Sequence, residues 1–559
     1  MQSAVLTLLS FAVLISVLVF FHEMGHLLVG KLFNVKVLRF SIGFGPKLFG
    51  FQRGETEYRV SALPLGGYVK FAGDVPGEEL EGADRGRGYL EQPPFRKACI
   101  AFAGPAANFI LAALLFIGIS AAPRRDWAAI VGQVKPKSPA ATAGVKAGDL
   151  ITAIDGEPVS GFQAFQEKIR ARPGKPVQLA IVRDGKELNL EVNSAVHEEK
   201  NPLETVKQGR IGIALRGRLP QLNVLGPDTA AAKAGLQAFD VVTALDGKPV
   251  ATYEEFAARL EQKAGQPASL DILRRSPVAA PGVTLWTQAP MKISLPAATG
   301  APAIPGVTFT DAAAAYGLEA ADLTLFVVQP GSAADKAGLR RGDRIVSTQG
   351  KPAYWWQDDV DLASREAINV PLELGVLRAG KLVKVTVAQT LRSARDEAGV
   401  KVQVPELGAS PDESIFNGKA TSITVRYPLS EAAVRGVAGT GEAIRGMALG
   451  IVKLVTGDIS REAIGGPLMI ADVARSAADA GILPFLSVMA MISISLGLMN
   501  LIPIPVLDGF HILSAAIEGV SRRPLSLRFR EIANMVGVAL VLSLMLFALR
   551  NDVVRKFFD

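Results

Sequence analysis

Four stretches without a charged residue, at 1–21, 98–122, 481–507 and 532–549, constrain this chain more than any other feature. Each is about 18 or more residues long, enough to cross a bilayer as a helix. A buried core helix can be equally apolar, but four such runs bracketing a more polar middle predict membrane spans. With 559 residues, 49% of them hydrophobic, the chain has far more material than one core needs, and a single compact soluble domain is excluded. Lys plus Arg number 60 against 53 Asp plus Glu, and no basic block is interleaved with aromatics, so no nucleic-acid partner is expected. Cys99 is the single cysteine, which rules out an intrachain disulfide and leaves His, Asp and Glu to hold any metal.

The first run has no positively charged flank before it and leads directly into His22, Glu23 and His26, so it reads as a retained span rather than a cleaved secretory signal. Residues 31–97 hold eleven Lys/Arg, and the loop 518–531 holds Arg522, Arg523, Arg528 and Arg530; both connections are therefore expected on the cytoplasmic side. Both termini and the region 123–480 then lie outside, against which Arg124 and Arg125 weigh slightly.

The middle of the chain repeats itself. Segments starting at Ser138, Asp228 and Ser332 each read as a short Ala-rich helix stopped by Gly144, Gly235 or Gly338, followed by an alternating strand and a tight turn. They resemble the PDZ domain, which binds extended peptides by adding a strand at a sheet edge. The first and third copies have Gly148-Asp149 and Gly342-Asp343, whereas the middle copy has Phe239-Asp240, which predicts an altered loop or groove there. Residues 210–213 and 306–309 are candidate peptide-terminus loops for the second and third modules, and ordinary strand starts are the alternative. Pro/Ala/Gly-rich stretches at 277–282 and 297–306 suggest modules that move relative to one another.

His22-Glu23-Met24-Gly25-His26 is HExxH, whose i, i+4 spacing puts both imidazoles on one helix face, about 40° apart, where they can share Zn²⁺. Glu23 is placed to reach a water at the ion. Catalytic zinc wants a third protein ligand. Asp508 is the only acid in 481–517, and an anionic group at that depth needs a cation; it is the expected third ligand, with His511 as the reserve.

These residues, with Gly104-Pro105-Ala106-Ala107-Asn108 and the segment 500–509 (NLIPIPVLDG), resemble the site-2 protease family of intramembrane zinc metalloproteases, in its bacterial branch with PDZ modules between the second and third spans. The resemblance covers essentially the whole chain. It implies zinc bound by His22, His26 and Asp508, Glu23 as catalytic base, and Asn500 and Asn108 as substrate-binding or transition-state support. It also implies single-pass membrane proteins as substrates, among them a stress-response anti-sigma factor or remnant signal peptides. Two departures stand out: three PDZ-like modules rather than two, and Phe510 after Gly509 where a second Gly is common. A catalytically idle membrane-tethered scaffold is the rival reading, and the costly intramembrane His, Glu and Asp argue against it.

The fold expected is an α+β multidomain membrane protein in which four transmembrane helices form a zinc-protease core. Its parts are a first transmembrane helix at 1–33, a membrane-associated cytoplasmic β-region at 34–96, and a second helix at 97–122. PDZ-like modules follow at 126–196, 208–295 and 305–392, then a connecting region with a membrane-surface helix at 393–480. A third transmembrane helix at 481–517, a loop at 518–531 and a fourth helix at 532–550 complete it. The β-region, broken by Gly43, Gly45, Gly66 and Gly67, is expected to offer an edge to an unwound substrate, and Pro503 and Pro505 to open the third span near the metal. Modules outside the membrane suggest a filter admitting only substrates already trimmed.

Overall fold

The computed structural model describes residues 2–75, 80, 82–200, 203–280, 283–367, 370–395, 401–418, 420–523 and 525–557. The chain divides into two compact units, Met1–Pro123 with Arg426–Asp559, and Arg124–Val425.

Among the described residues, the first unit holds four helices long and apolar enough to cross a membrane: Val5–Leu32, Pro94–Ala121, Ile482–Leu501 and Arg528–Phe557. Small residues let them approach. A Cβ on Gly25 would run into the carbonyl of Ala103 and lie 2.9 Å from Ala107 Cβ, so the first two helices cross where only glycine fits. Leu14, Leu18, Leu111 and Met489 form one buried cluster of this bundle, and Ala112, Ala490 and Ile494 another.

The third span departs from expectation. Its helix ends at Leu501, residues 502–507 are not helical, and a separate helix, Asp508–Ser521, begins at the acid. Pro503 and Pro505 have no amide to continue the helix. Val506 takes a left-handed φ of 86°, a strained value for a β-branched residue. Gly509 lets the carbonyls of Leu501 and Ile502 approach where a Cβ would collide with them. Asp508 therefore stands at the start of a new helix rather than inside a span running through 481–517.

The helix of the connecting region, Leu429–Thr456, packs one face into this unit: Ala443, Ile444 and Met447 lie against the cluster of Ala112, Ala490 and Ile494, and Gly436 sits against Ile117. The region 393–480 is thus not one connecting piece, since it divides after Val425 between the two units.

Two long strands, Val37–Arg53 and Thr56–Phe71, bend back on themselves. Ser41 pairs with both Arg59 and Tyr68, and Phe51 pairs with Tyr58, so the ribbon becomes four short segments with 67–71 at one edge. Gly43 and Gly45, at φ 88° and 87°, make the bend.

The second unit carries three similar modules. Each has a four-stranded antiparallel sheet: Glu157–Pro158, Leu150–Ile154, Pro176–Arg183 and Lys186–Asn193 in the first, in that spatial order, with equivalents in the other two. Short helices at Pro139–Thr142, Ala230–Lys233 and Ala333–Lys336 are N-capped by the hydroxyls of Ser138, Thr229 and Ser332. The cores run from Ala129 to Ile211, Leu222 to Ala320 and Leu323 to Leu407, so the second and third modules extend well beyond the expected 295 and 392. The reason is strand pairing: Ile213–Ala214 closes on Gln133–Val134, Leu318–Ala320 on Leu222–Val224, and Ala409–Ser410 on Val327–Val328. Residues 210–213 consequently belong to the first module rather than the second. Residues 306–309 are not a strand-start loop of the third; Val307 and Phe309 pack on Leu225, Ala314, Val346 and Leu377.

The modules are tied together. Arg341 stacks over Phe239, Trp286 and Phe326, joining the second to the third. Lys135 of the first reaches Asp359 of the third at 2.8 Å. Free movement, expected from the Pro/Ala/Gly-rich stretches, is not what this packing supports. Both ends of the unit are zipped as well, with Arg124–Trp127 paired to Ser422–Val425.

Candidate metal centre

HExxH lies on the first helix, and its i, i+4 geometry turns both imidazoles to one side, where His22 is 7% and His26 8% exposed. Asp508 meets them from the start of its own helix. His22 Nε2 lies 3.1 Å from Asp508 Oδ2, His26 Nε2 lies 3.4 Å from Asp508 Oδ1, and the two Nε2 atoms are 3.2 Å apart. Donors bound to one tetrahedral zinc at about 2.0–2.2 Å stand roughly 3.3 Å from each other. Two imidazoles and a carboxylate at this spacing fit that ion in number, type and separation.

The second helix forms the wall behind. A Cβ on Gly104 would lie 2.6 Å from His26 Cε1 and 2.8 Å from His22 Nε2, so glycine is what leaves room for the rings. His26 Nδ1 donates to the carbonyl of Ile100 at 2.7 Å. Asn108 Nδ2 lies 3.1 Å from His22 Nδ1, and Asn500 Nδ2 is 3.4 Å from His22 Nε2.

A cavity of about 840 Å³ opens onto the three ligand atoms, and Glu23, Asn500 and the edge segment 67–71 line it. The Glu23 carboxylate accepts a hydrogen bond from the backbone of Val69, so the sheet edge and the acid border the same space. Asn108 is fully buried and does not reach the cavity, which separates it from Asn500. His511 lines the cavity but lies outside the cluster of ligand atoms. Near the cavity's other end Glu518, 5% exposed, receives Lys97 and Arg530, tying the helix that carries Asp508 to two neighbours. Sequence reasoning missed this triad, because Lys97 and Glu518 lie 421 positions apart and the three share no motif.

An HExxH helix joined by an acid from a distant helix, among spans apolar enough for a bilayer, defines a membrane-embedded metallopeptidase. Residues 10–544 match Peptidase family M50, and the chain belongs to that family: it is a zinc metalloprotease of the site-2 type. A Neisseria meningitidis serogroup A protein named, provisionally, a zinc metalloprotease is 30% identical over 98% of this chain and 99% of its own. A Yersinia pestis protein named Protease RseP is 29% identical over 99% of this chain and 100% of its own. Among solved structures, the PDZ domain of an SdrC-like protein of Listeria innocua is 28% identical, covering 16% of this chain and 91% of that one, with a TM-score of 0.13.

Proposed function

We propose that this protein hydrolyses a peptide bond within the transmembrane segment of single-pass membrane proteins, using zinc held by His22, His26 and Asp508. The convergence of those three side chains at 3.1–3.4 Å carries the reading. Zinc bound there supplies a Lewis acid and brings the pKa of a water towards neutrality. Glu23, beside His22 on the same helix and facing the cavity, accepts the proton of the attacking water and passes it to the leaving amine. Asn500 offers its amide to the scissile carbonyl oxygen as charge develops on it.

A peptide bond in an intact helix is shielded and its carbonyl already bonded, so the substrate must unwind and needs replacement partners. The edge at 67–71, which lines the same cavity as Glu23, supplies backbone groups to an extended chain. In this reading the Lys/Arg-rich connections face the cytoplasm of a bacterial inner membrane, and the termini and the PDZ-like modules lie in the periplasm. The modules take up extended peptide or a substrate's periplasmic tail, and hold back substrates with untrimmed outer domains. An anti-sigma factor suits the class, in line with the relative from Haemophilus influenzae named Regulator of sigma E protease, and remnant signal peptides suit it too.

The test is reconstitution in liposomes with a single-pass substrate. Glu23→Gln is expected to hold about one zinc per chain and cut nothing, whereas His22→Ala and Asp508→Ala lose the metal and the activity together. Cleavage by Glu23→Gln at the wild-type rate, or by exhaustively chelated protein, would refute the mechanism. Replacing 128–421 by a short linker, which leaves the pair Arg124–Trp127 and Ser422–Val425 to close the gap, should admit untrimmed substrate; continued exclusion would remove the filter role.

A further inference from the structure

An imidazole that gives one nitrogen to a metal carries its proton on the other, and the partner of that second nitrogen fixes the tautomer. At His26 the partner is unambiguous: Nδ1 faces the carbonyl oxygen of Ile100 at 2.7 Å, an acceptor only, so Nδ1 is protonated and Nε2 is free for the ion. At His22 the corresponding nitrogen faces the side-chain amide of Asn108 at 3.1 Å. We propose that Asn108 is a positioning residue, whose amide oxygen accepts the Nδ1 proton of His22 and so presents Nε2 to zinc.

The surroundings keep the amide away from the reaction itself. Asn108 is 0% exposed and absent from the cavity lining, so it touches neither substrate nor the reacting atoms. Ser493 Oγ donates to the Asn108 backbone carbonyl at 2.8 Å, holding that turn of the second helix against the third. An amide turned by half a revolution exchanges donor for acceptor at nearly the same place. With Nδ2 towards the ring, two donors would face each other at 3.1 Å once Nδ1 is protonated. With Oδ1 towards the ring, the proton is accepted and Nε2 is left with its lone pair directed at Asp508 and His26. Asn108 thus does by side chain for His22 what the Ile100 carbonyl does by backbone for His26, and of the two it alone can be altered by substitution.

The inference rests on the zinc reading above, and the experiment separates the two. Purified full-length protein is loaded with Zn²⁺ and titrated with a chromophoric chelator, and the Co²⁺ form is examined by visible absorption. Asn108→Leu, which removes the acceptor, should weaken zinc binding on the order of 10–100-fold and alter the Co²⁺ spectrum. Asn108→Asp keeps an acceptor oxygen and should bind at least as tightly as wild type. Asn108→Ala is judged by the same criteria should the leucine variant fail to fold. Binding within twofold of wild type together with an unchanged spectrum in the variant lacking the acceptor, or an Asp variant no better than it, overturns the proposal and leaves the zinc site standing. Wild-type protein that binds no zinc overturns both.

Discussion

Asp552, near the end of the last helix, caps a different helix: it accepts the amides of Gly466 at 2.9 Å, Leu468 at 2.9 Å and Met469 at 3.2 Å, at the start of Pro467–Ala480. That helix has no side-chain cap of its own, and Gly466 allows the approach, since a Cβ there would lie 2.7 Å from Asp552 Oδ2. Gly465-Gly466-Pro467 thus forms a landing site for a distant carboxylate.

Asp552→Ala should cost about 1–3 kcal/mol, the loss of a cap whose acceptor is charged and 3% exposed. Asp552→Asn should recover only part, because one amide oxygen replaces two carboxylate oxygens. Thermal unfolding of the detergent-solubilised protein reads this out, and an unshifted Asp552→Ala midpoint would show that the bonds contribute nothing net.

Phe239 holds the left-handed backbone, at φ 73°, that Gly148 and Gly342 hold at 92° and 90° in the other modules. Strain at a non-glycine residue there costs of order 1–3 kcal/mol, and the return is packing: the ring meets Phe326 at 5.0 Å and lies under Arg341 at 4.8 Å. The turn itself is unaltered, since Asp240 still binds Arg274 as Asp149 binds Arg183 and Asp343 binds Arg378. Removing a buried Phe costs about 3–5 kcal/mol, which exceeds the strain relieved. Phe239→Gly is therefore expected to destabilise, and to raise hydrogen exchange at the contact of the second and third modules rather than within either core.

Asp311 is half-buried against Tyr253 and Glu319 is buried against Arg344, and in both desolvation pushes the carboxyl pKa up against the pull of those partners. A carboxyl raised in the folded state contributes stability that is full below its unfolded value, about 4 for Asp, and is lost as pH rises through the raised folded value. These two groups should loosen the strand pair that closes the second module as pH climbs above about 4, opposite to Glu57 and Asp84 in the other unit, whose values are lowered chiefly by Lys47 and Lys36. Hydrogen exchange at 222–224 and 318–320, followed against pH, should lose its rise in the double variant Asp311→Asn, Glu319→Gln. A rise of equal size in that variant would assign the dependence elsewhere.

The legible part of this chain was whatever local chemistry repeats or costs too much to be idle. HExxH, a lone acid beyond an apolar run, and three Ala-rich helices stopped by glycine all announce themselves within a few residues. What escaped was set by partners distant in sequence. The end of the third helix at Leu501 depends on glycines at 509 and 537 admitting the turned chain, since a Cβ on Gly537 would strike Pro505. Module boundaries depend on closing strands such as Ile213–Ala214, which read as the start of the next repeat because sequence gives adjacency and not pairing. The contact of the helix at 429–456 with its neighbours was equally illegible, because periodicity shows an apolar face without saying what covers it.

The same logic explains Gly104, which the sequence offers as the start of a family-like segment but without a role. Placing a methyl group there puts carbon 2.8 Å from His22 Nε2 and still closer to His26, in the space the metal's donors occupy. Neither ring can retreat, since each is held from behind, one by Ile100 and the other by Asn108. Gly118, in the same helix, has nothing within 4 Å of a Cβ. Gly104→Ala should therefore abolish zinc binding and proteolysis, while Gly118→Ala leaves both intact and is neutral or stabilising by up to about 1 kcal/mol. Zinc content by atomic absorption, measured beside substrate cleavage, decides the matter: a Gly104→Ala protein that keeps its full zinc complement would mean the second helix stands farther from the imidazoles than 2.8 Å allows.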